Sequence, residues 1–145
     1  MDRSDVTQII LEAYDSRWRG DLEAALACFH PEVRISSLGD PEVVPFAGRY
    51  NGLDGLKVYL DRLGAWAQPV GPTLQDLIVD GTRAVVRWTM PVRSGRATEP
   101  AKLQFIDVVS LDHDLIVAVD QFLDTAAAAR LFQDGGEGGG TRAVA

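Results

Sequence analysis

The run LQFIDVVSLDHDLIVAVDQFLD, residues 103–124, constrains the fold more than any other stretch. It reads as two strands rich in Val, Ile, Leu and Phe, and Asp112, His113 and Asp114 predict the turn between them. With the turn centred on His113, Asp107 lies opposite Val119 and Phe105 opposite Gln121. Because alternate residues share a face, Leu103, Phe105, Asp107 and Val109 form one row, and Val117, Val119, Gln121 and Leu123 form the row beside it. The other face carries Ile106, Val108, Ile116, Ala118 and Phe122. Two apolar faces cannot both meet water, so one covers a pocket or core and the other a partner.

The rest of the 145 residues supplies what such a hairpin needs. One domain over residues 1–133 is expected, followed by a disordered Gly-rich tail, DGGEGGGTRAVA, over 134–145. The net charge of −7, without a Lys/Arg cluster, argues against nucleic acid and against an anionic membrane surface. No apolar window approaches the length of a membrane span, and a cytoplasmic location is expected. Cys28, the single cysteine, falls in an apolar helical pattern and reads as a small core residue. No His, Cys, Asp and Glu cluster has metal-ligand spacing, and no phosphate-binding glycine loop occurs, so neither metal nor cofactor is expected.

Taken in order, Asp5 and Gln8 resemble a capping pair, and Val6, Ile9, Ile10, Ala13, Tyr14 and Trp18 recur at helical spacing up to Gly20. Asp21 caps a second helix that buries Leu22, Ala25, Leu26 and Phe29, with His30 ending it before Pro31. A short strand at 33–37 and a loop through Gly39, Pro41, Pro45 and Gly48 follow. A third helix then has Leu56, Tyr59, Leu60 and Leu63 on one face and closes at Gly64. Strands at 74–79 and 84–92 join at Asp80-Gly81, and a turn at Ser94-Gly95 leads into the opening stretch. Asp124 or Thr125 caps a last short helix. Helices first and antiparallel strands after them predict an α+β fold.

Three segments, RGDLEAALACFHPEV, PFAGRYNGLDGL and LIVAVDQFLDTAA, carry a resemblance to the nuclear transport factor 2-like superfamily over residues 6–132. The resemblance is to its SnoaL-like polyketide cyclase and ketosteroid-isomerase-like branch. It implies a cone-shaped curved antiparallel sheet wrapped around the N-terminal helices, a cystatin-like α+β barrel, with the pocket inside the cone. Against ketosteroid isomerases, Asp107 occupies the place of the aspartic acid that donates to the substrate oxyanion. Ser37 stands at or near the place of their general base, and Ala13, one residue before Tyr14, near that of their oxyanion-hole tyrosine. Against limonene epoxide hydrolases, Arg87 matches the arginine, while Thr89 and Gln121 stand where the two water-activating aspartates would be.

The residues themselves name Asp107 first, because a carboxyl flanked by Phe105, Val109 and Val119 either has a partner or a shifted pKa. Arg87, in a row with Val85 and Thr89 on the neighbouring strand, would pair with Asp107 or hold an anionic group. Asp107, Arg87 and Tyr14 are the catalytic candidates; Gln121, Trp18, Phe105, Val119 and Tyr59 are the candidates for substrate contact. Tyr14 and Trp18 also fit a purely structural role as core aromatics four residues apart. The expected activity is cofactor-independent isomerisation, cyclisation or dehydration of an apolar polyketide, terpenoid or steroid. The alternatives are a non-catalytic small-molecule-binding or assembly domain, or an epoxide hydrolase should a bulge turn Asp120 inward. A homodimer through an outer face of Val86, Trp88, Ile106, Val108 and Phe122 is also expected.

Overall fold

The computed structural model describes residues 2–66, 71–92 and 101–135. Helix α1 (Arg3–Trp18) starts one turn earlier than the Asp5 cap predicts, because Asp2 and Asp5 form a reciprocal box: the Asp2 carboxylate accepts from the Asp5 N–H and the Asp5 carboxylate from the Asp2 N–H. Helix α2 (Leu22–Leu26) is capped by Asp21 as expected, its carboxylate accepting from the Ala24 N–H at 3.1 Å. It is shorter than its apolar pattern suggests. Strand β1 (Phe29–Ser37) already begins at Phe29 and takes in His30 and Pro31, while Leu22 remains half-exposed. Pro31 disfavours helix at His30, and an irregularity in strand pairing between Phe29 and Arg34 accommodates it.

The stretch read as a loop contains a short strand, β2 (Gly48–Asn51), which pairs antiparallel with the end of β1. Then come α3 (Gly52–Gly64), β3 (Thr73–Asp80), β4 (Arg83–Val92), β5 (Ala101–Asp112), β6 (Leu115–Leu123) and α4 (Thr125–Gly135). Helix α4 takes in Asp134 and Gly135; the rest of the Gly-rich stretch, and the Ser94-Gly95 turn, lie outside the described residues. The six strands form one curved, open sheet in the order β2-β1-β6-β5-β4-β3. Neighbours are antiparallel except β1 and β6, which run parallel and so join the N-terminal half of the chain to the hairpin. Helix α3 lies against β1 and β2, and α1 against α2 and β3.

The β5–β6 hairpin has a two-residue turn, with Asp112 opposite Leu115 and His113 at φ 57. Val117 is then skipped between the pairs Leu111–Ile116 and Ser110–Ala118. The two-residue turn and that bulge, one residue each, set the register to Asp107 opposite Gln121, Val109 opposite Val119 and Phe105 opposite Leu123, two residues from the expected pairing. A shift of two preserves the face of each side chain, so the row through Asp107, Val119 and Gln121 survives. Ile116 does not keep its expected place. On the turn side of the bulge the alternation inverts, and Ile116 is fully buried in the core.

Strand β4 corrects the outer face more substantially. Ala84, Val86, Trp88 and Met90 are all buried, with Val86 opposite Asp107 and Trp88 opposite Phe105. Val86 and Trp88 therefore belong to the inner face. The outer face consists of Ile78, Val85, Ile106, Val108 and Phe122, three of which are large exposed apolar side chains: Ile78 at 57%, Ile106 at 38% and Phe122 at 45%.

Candidate functional site

Three neighbouring strands place Ser37, Gln121 and Asp107 side by side, since Ser37 pairs with Gln121 across β1–β6 and Gln121 with Asp107 across β6–β5. All three are buried at 3% exposure or less. The Ser37 hydroxyl donates to Gln121 Oε1 at 2.8 Å, and Gln121 Nε2 donates to Asp107 Oδ1 at 3.1 Å. Two aromatic side chains complete the set: the Trp88 Nε1–H donates to Asp107 Oδ2 at 2.8 Å, and the Tyr14 hydroxyl, descending from α1, makes a short hydrogen bond to the same oxygen. Tyr59, from α3, lines the same small chamber as Asp107 and Tyr14. Every donor that meets Asp107 in these contacts is neutral.

Burial dominates the electrostatics. Removal from water pushes the Asp107 carboxyl above the usual aspartate range, opposed by the Tyr14 hydrogen bond, the positive charge of Arg17 and the hydrogen bonds from Trp88 and Gln121. The Tyr14 phenol is pushed well above its ordinary value, first by burial and then by the charge of Asp107. Tyr59 is raised chiefly by burial. Both phenols are therefore neutral donors at any physiological pH.

The cation at this site is Arg17, which sequence reasoning missed. Arg17 follows Tyr14 by three residues and Ala13 by four, and so continues the buried stripe of α1. Its guanidinium lies 5.3 Å from the centroid of the Tyr14 ring and 5.4 Å from that of Trp88. An arginine extending an otherwise apolar helical stripe was the signal available in the sequence. Trp88 could have been found in the same way, because Ala84, Val86, Trp88 and Met90 form an unbroken apolar alternation.

Two cavities meet at Arg17. The inner one has a volume of about 20 Å³ and is lined by Asp107, Tyr14, Tyr59, Val109, Val119 and Ile116 among others. That is room for about one water. The second, of about 260 Å³, lies between α1, α3 and β4 and is lined by Arg17, Trp18, Leu60, Leu63, Trp88 and Met90 among others. Tyr14, Trp18 and Trp88 form an aromatic cluster between them, with ring centroids 5.6 to 6.2 Å apart. Among the described residues, no group of three His, Cys, Asp or Glu side chains could hold a metal.

The structure thus brings together Asp107, Tyr14, Gln121, Tyr59 and Val119, with Trp18 on the wall of the larger cavity. Phe105 lines neither cavity; it is fully buried and stacks on Trp88 at 4.2 Å, holding that indole in place. Arg87 does not join the site. It sits opposite Ile106 on the outer face, 45% exposed, 3.9 Å from Asp76 and 3.3 Å from Gln75. Its row alternates correctly, but the strand register turns that row outward. Asp120 is exposed opposite Val108, facing away from both cavities, so the bulge leaves it outside rather than turning it in.

The family model described as SnoaL-like domain matches residues 10–119. A search of curated proteins found no match. Among solved structures, the fold is similar to a nuclear transport factor 2-like protein of unknown function from Burkholderia pseudomallei K96243, with TM-score 0.77 and 24% identity over 90% of this chain and 98% of that one. It is also similar to TerC co-crystallised with polyporic acid (TM-score 0.75, 26% identity, 88% of this chain and 97% of that one). A candidate SnoaL-like polyketide cyclase from Jannaschia sp. CCS1 shares the fold at TM-score 0.73 and 13% identity, over 90% of this chain and 96% of that one. The chain belongs to the SnoaL-like domain family of the nuclear transport factor 2-like superfamily.

Proposed function

We propose that the chain binds an apolar small molecule of polyketide, terpenoid or steroid type and isomerises, cyclises or dehydrates it by acid–base chemistry at Asp107, without a cofactor. One observation carries this reading: a fully buried carboxyl held by three neutral donors, with its pKa raised by burial. A carboxylate locked to a contacting cation would hold no proton to exchange, whereas a desolvated one is tuned toward neutral pH. Asp107 would take a proton from a carbon beside a carbonyl and return it elsewhere on the substrate. Tyr14 and Trp88 fix the carboxyl orientation, and Tyr14 stays protonated throughout. TerC, which was co-crystallised with polyporic acid, supports a small organic ligand for this fold.

A second reading, a domain that binds without catalysis, is favoured by the 20 Å³ size of the chamber at Asp107. Exchange of solvent deuterium into β-tetralone separates the two. If Asp107 is the acid–base group, the chain should accelerate exchange at least about a hundredfold over Asp107→Asn, the low end for general acid–base catalysis. No acceleration by the wild-type chain leaves the binding reading.

The outer face of Ile78, Val85, Ile106, Val108 and Phe122 fits a second copy of the chain. Its exposed centre is apolar, and the charges around it, Arg87, Asp76 and Asp120, include both signs.

A further inference from the structure

The ligand class can be narrowed from one side chain, on the proposed reading of a small-molecule-binding chain and with the larger cavity, which shares Arg17 with the chamber of Asp107, as the place that holds the ligand. We infer that this cavity takes an acidic ligand, an apolar ring system bearing a carboxylate or similarly acidic oxygen, and that Arg17 recognises the anionic group.

Arg17 is the one charged side chain among the described residues that line the 260 Å³ cavity; the rest of the lining is aromatic, aliphatic, glycine or proline. No carboxylate or other hydrogen-bond acceptor meets its guanidinium among the described residues. It faces the Tyr14 and Trp88 rings instead. Elsewhere on the same helix end, Arg19 is tied to Glu12, Asp15 and Asp21, so carboxylates are at hand and, among the described residues, none reaches Arg17. Aromatic faces orient a guanidinium but do not use its in-plane N–H donors, which remain able to grip a planar anion. Trp18 lines the same cavity with its ring, while its Nε1 is buried, with no partner among the described residues, so the donors open to a ligand are those of Arg17. A neutral ligand can offer the guanidinium an acceptor but leaves its charge uncompensated in an apolar wall, and an acidic one supplies both. The position also matters for chemistry, because Arg17 borders the chamber of Asp107 as well. An anion held there places the adjoining part of the ligand toward the carboxyl.

The test is a matched pair of probes, 2-naphthoate and 2-naphthamide, titrated against the full chain by quenching of tryptophan fluorescence, since Trp18 and Trp88 line the cavity. The acid should bind about tenfold tighter than the amide, the gap between charge-assisted and neutral hydrogen bonds. Arg17→Gln should abolish that preference, weakening the acid far more than the amide, and Arg17→Lys should retain part of it. Equal binding of acid and amide to the wild-type chain overturns the inference and spares the ligand-site reading. A preference that persists in Arg17→Gln assigns the anion elsewhere and also overturns it. Binding of neither probe rejects the cavity as a ligand site and the inference with it.

Discussion

Asp107 and Asp120 lie on paired strands of one hairpin, yet they occupy opposite physical worlds. Asp107 faces Gln121 on the inner side, buried and held by three donors. Asp120 faces Val108 on the outer side and is exposed. Arg17 and Arg87 repeat the contrast, one partly buried against two aromatic rings, the other screened by water beside Asp76. Where water supplies the solvation, an ion pair contributes little. Where it is excluded, each neutral donor matters, and a carboxyl becomes a proton-exchanging group.

The largest expected difference between the two faces is in stability. Asp107→Leu should cost about 3 to 5 kcal/mol, because the Tyr14, Trp88 and Gln121 donors each lose their acceptor in a buried site. Asp120→Leu, measured in the same urea unfolding series, should stay within about 0.5 kcal/mol. Similar losses at both positions would break the comparison.

A smaller effect depends on pH. A carboxyl whose folded pKa exceeds its unfolded one is protonated first in the folded state, so its neutral form stabilises the fold at low pH. That contribution is lost as pH rises from the unfolded value through the folded one. The stability of the wild-type chain relative to Asp107→Asn should therefore grow on acidification through that window, by up to about 1.4 kcal/mol per pH unit. Using the Asn variant as the reference cancels the other carboxylates. A difference that shrinks on acidification would mean that the folded pKa lies below the unfolded one.

On the outer face, Phe122→Glu should halve the mass seen by light scattering, to the 15.7 kDa of one chain, without disturbing the Asp107 network. A wild-type mass of 15.7 kDa at micromolar concentration would instead remove the homodimer. The smallest effect belongs to the turn that sets the register. His113 has φ 57, and His113→Gly should raise stability by about 0.5 kcal/mol, the relief of the Cβ clash less the added chain entropy of glycine.

From Val119 onward the inner row on β5 and β6 was legible from alternation alone, because a register error of two leaves each of those side chains on its face, whereas Val117 and Ile116, at the bulge and on its turn side, did not follow the expected rows. So were α3, the β3–β4 hairpin and the caps at Asp21 and Asp124, each marked by local chemistry. What could not be read was how faces on different strands align. Within β4 the apolar alternation of Ala84, Val86, Trp88 and Met90 marks the inward row, but which of its members meets Asp107 is decided by the pairing with β5. The bulge at Val117 and the short strand β2 depend on pairing partners far away in sequence, as does the depth of Arg17. The site is assembled from α1, α3, β1, β4, β5 and β6, so its composition is a tertiary fact even where its members were individually visible.

Carbon-detected titration of the Asp107 carboxyl tests the central claim most directly, since it needs no substrate and reads the group itself. The account predicts a pKa above the ordinary aspartate value of about 3.9, rising further in Arg17→Gln as the positive charge that opposes the shift is removed. A pKa at or below the ordinary value, unmoved by Arg17→Gln, would contradict it.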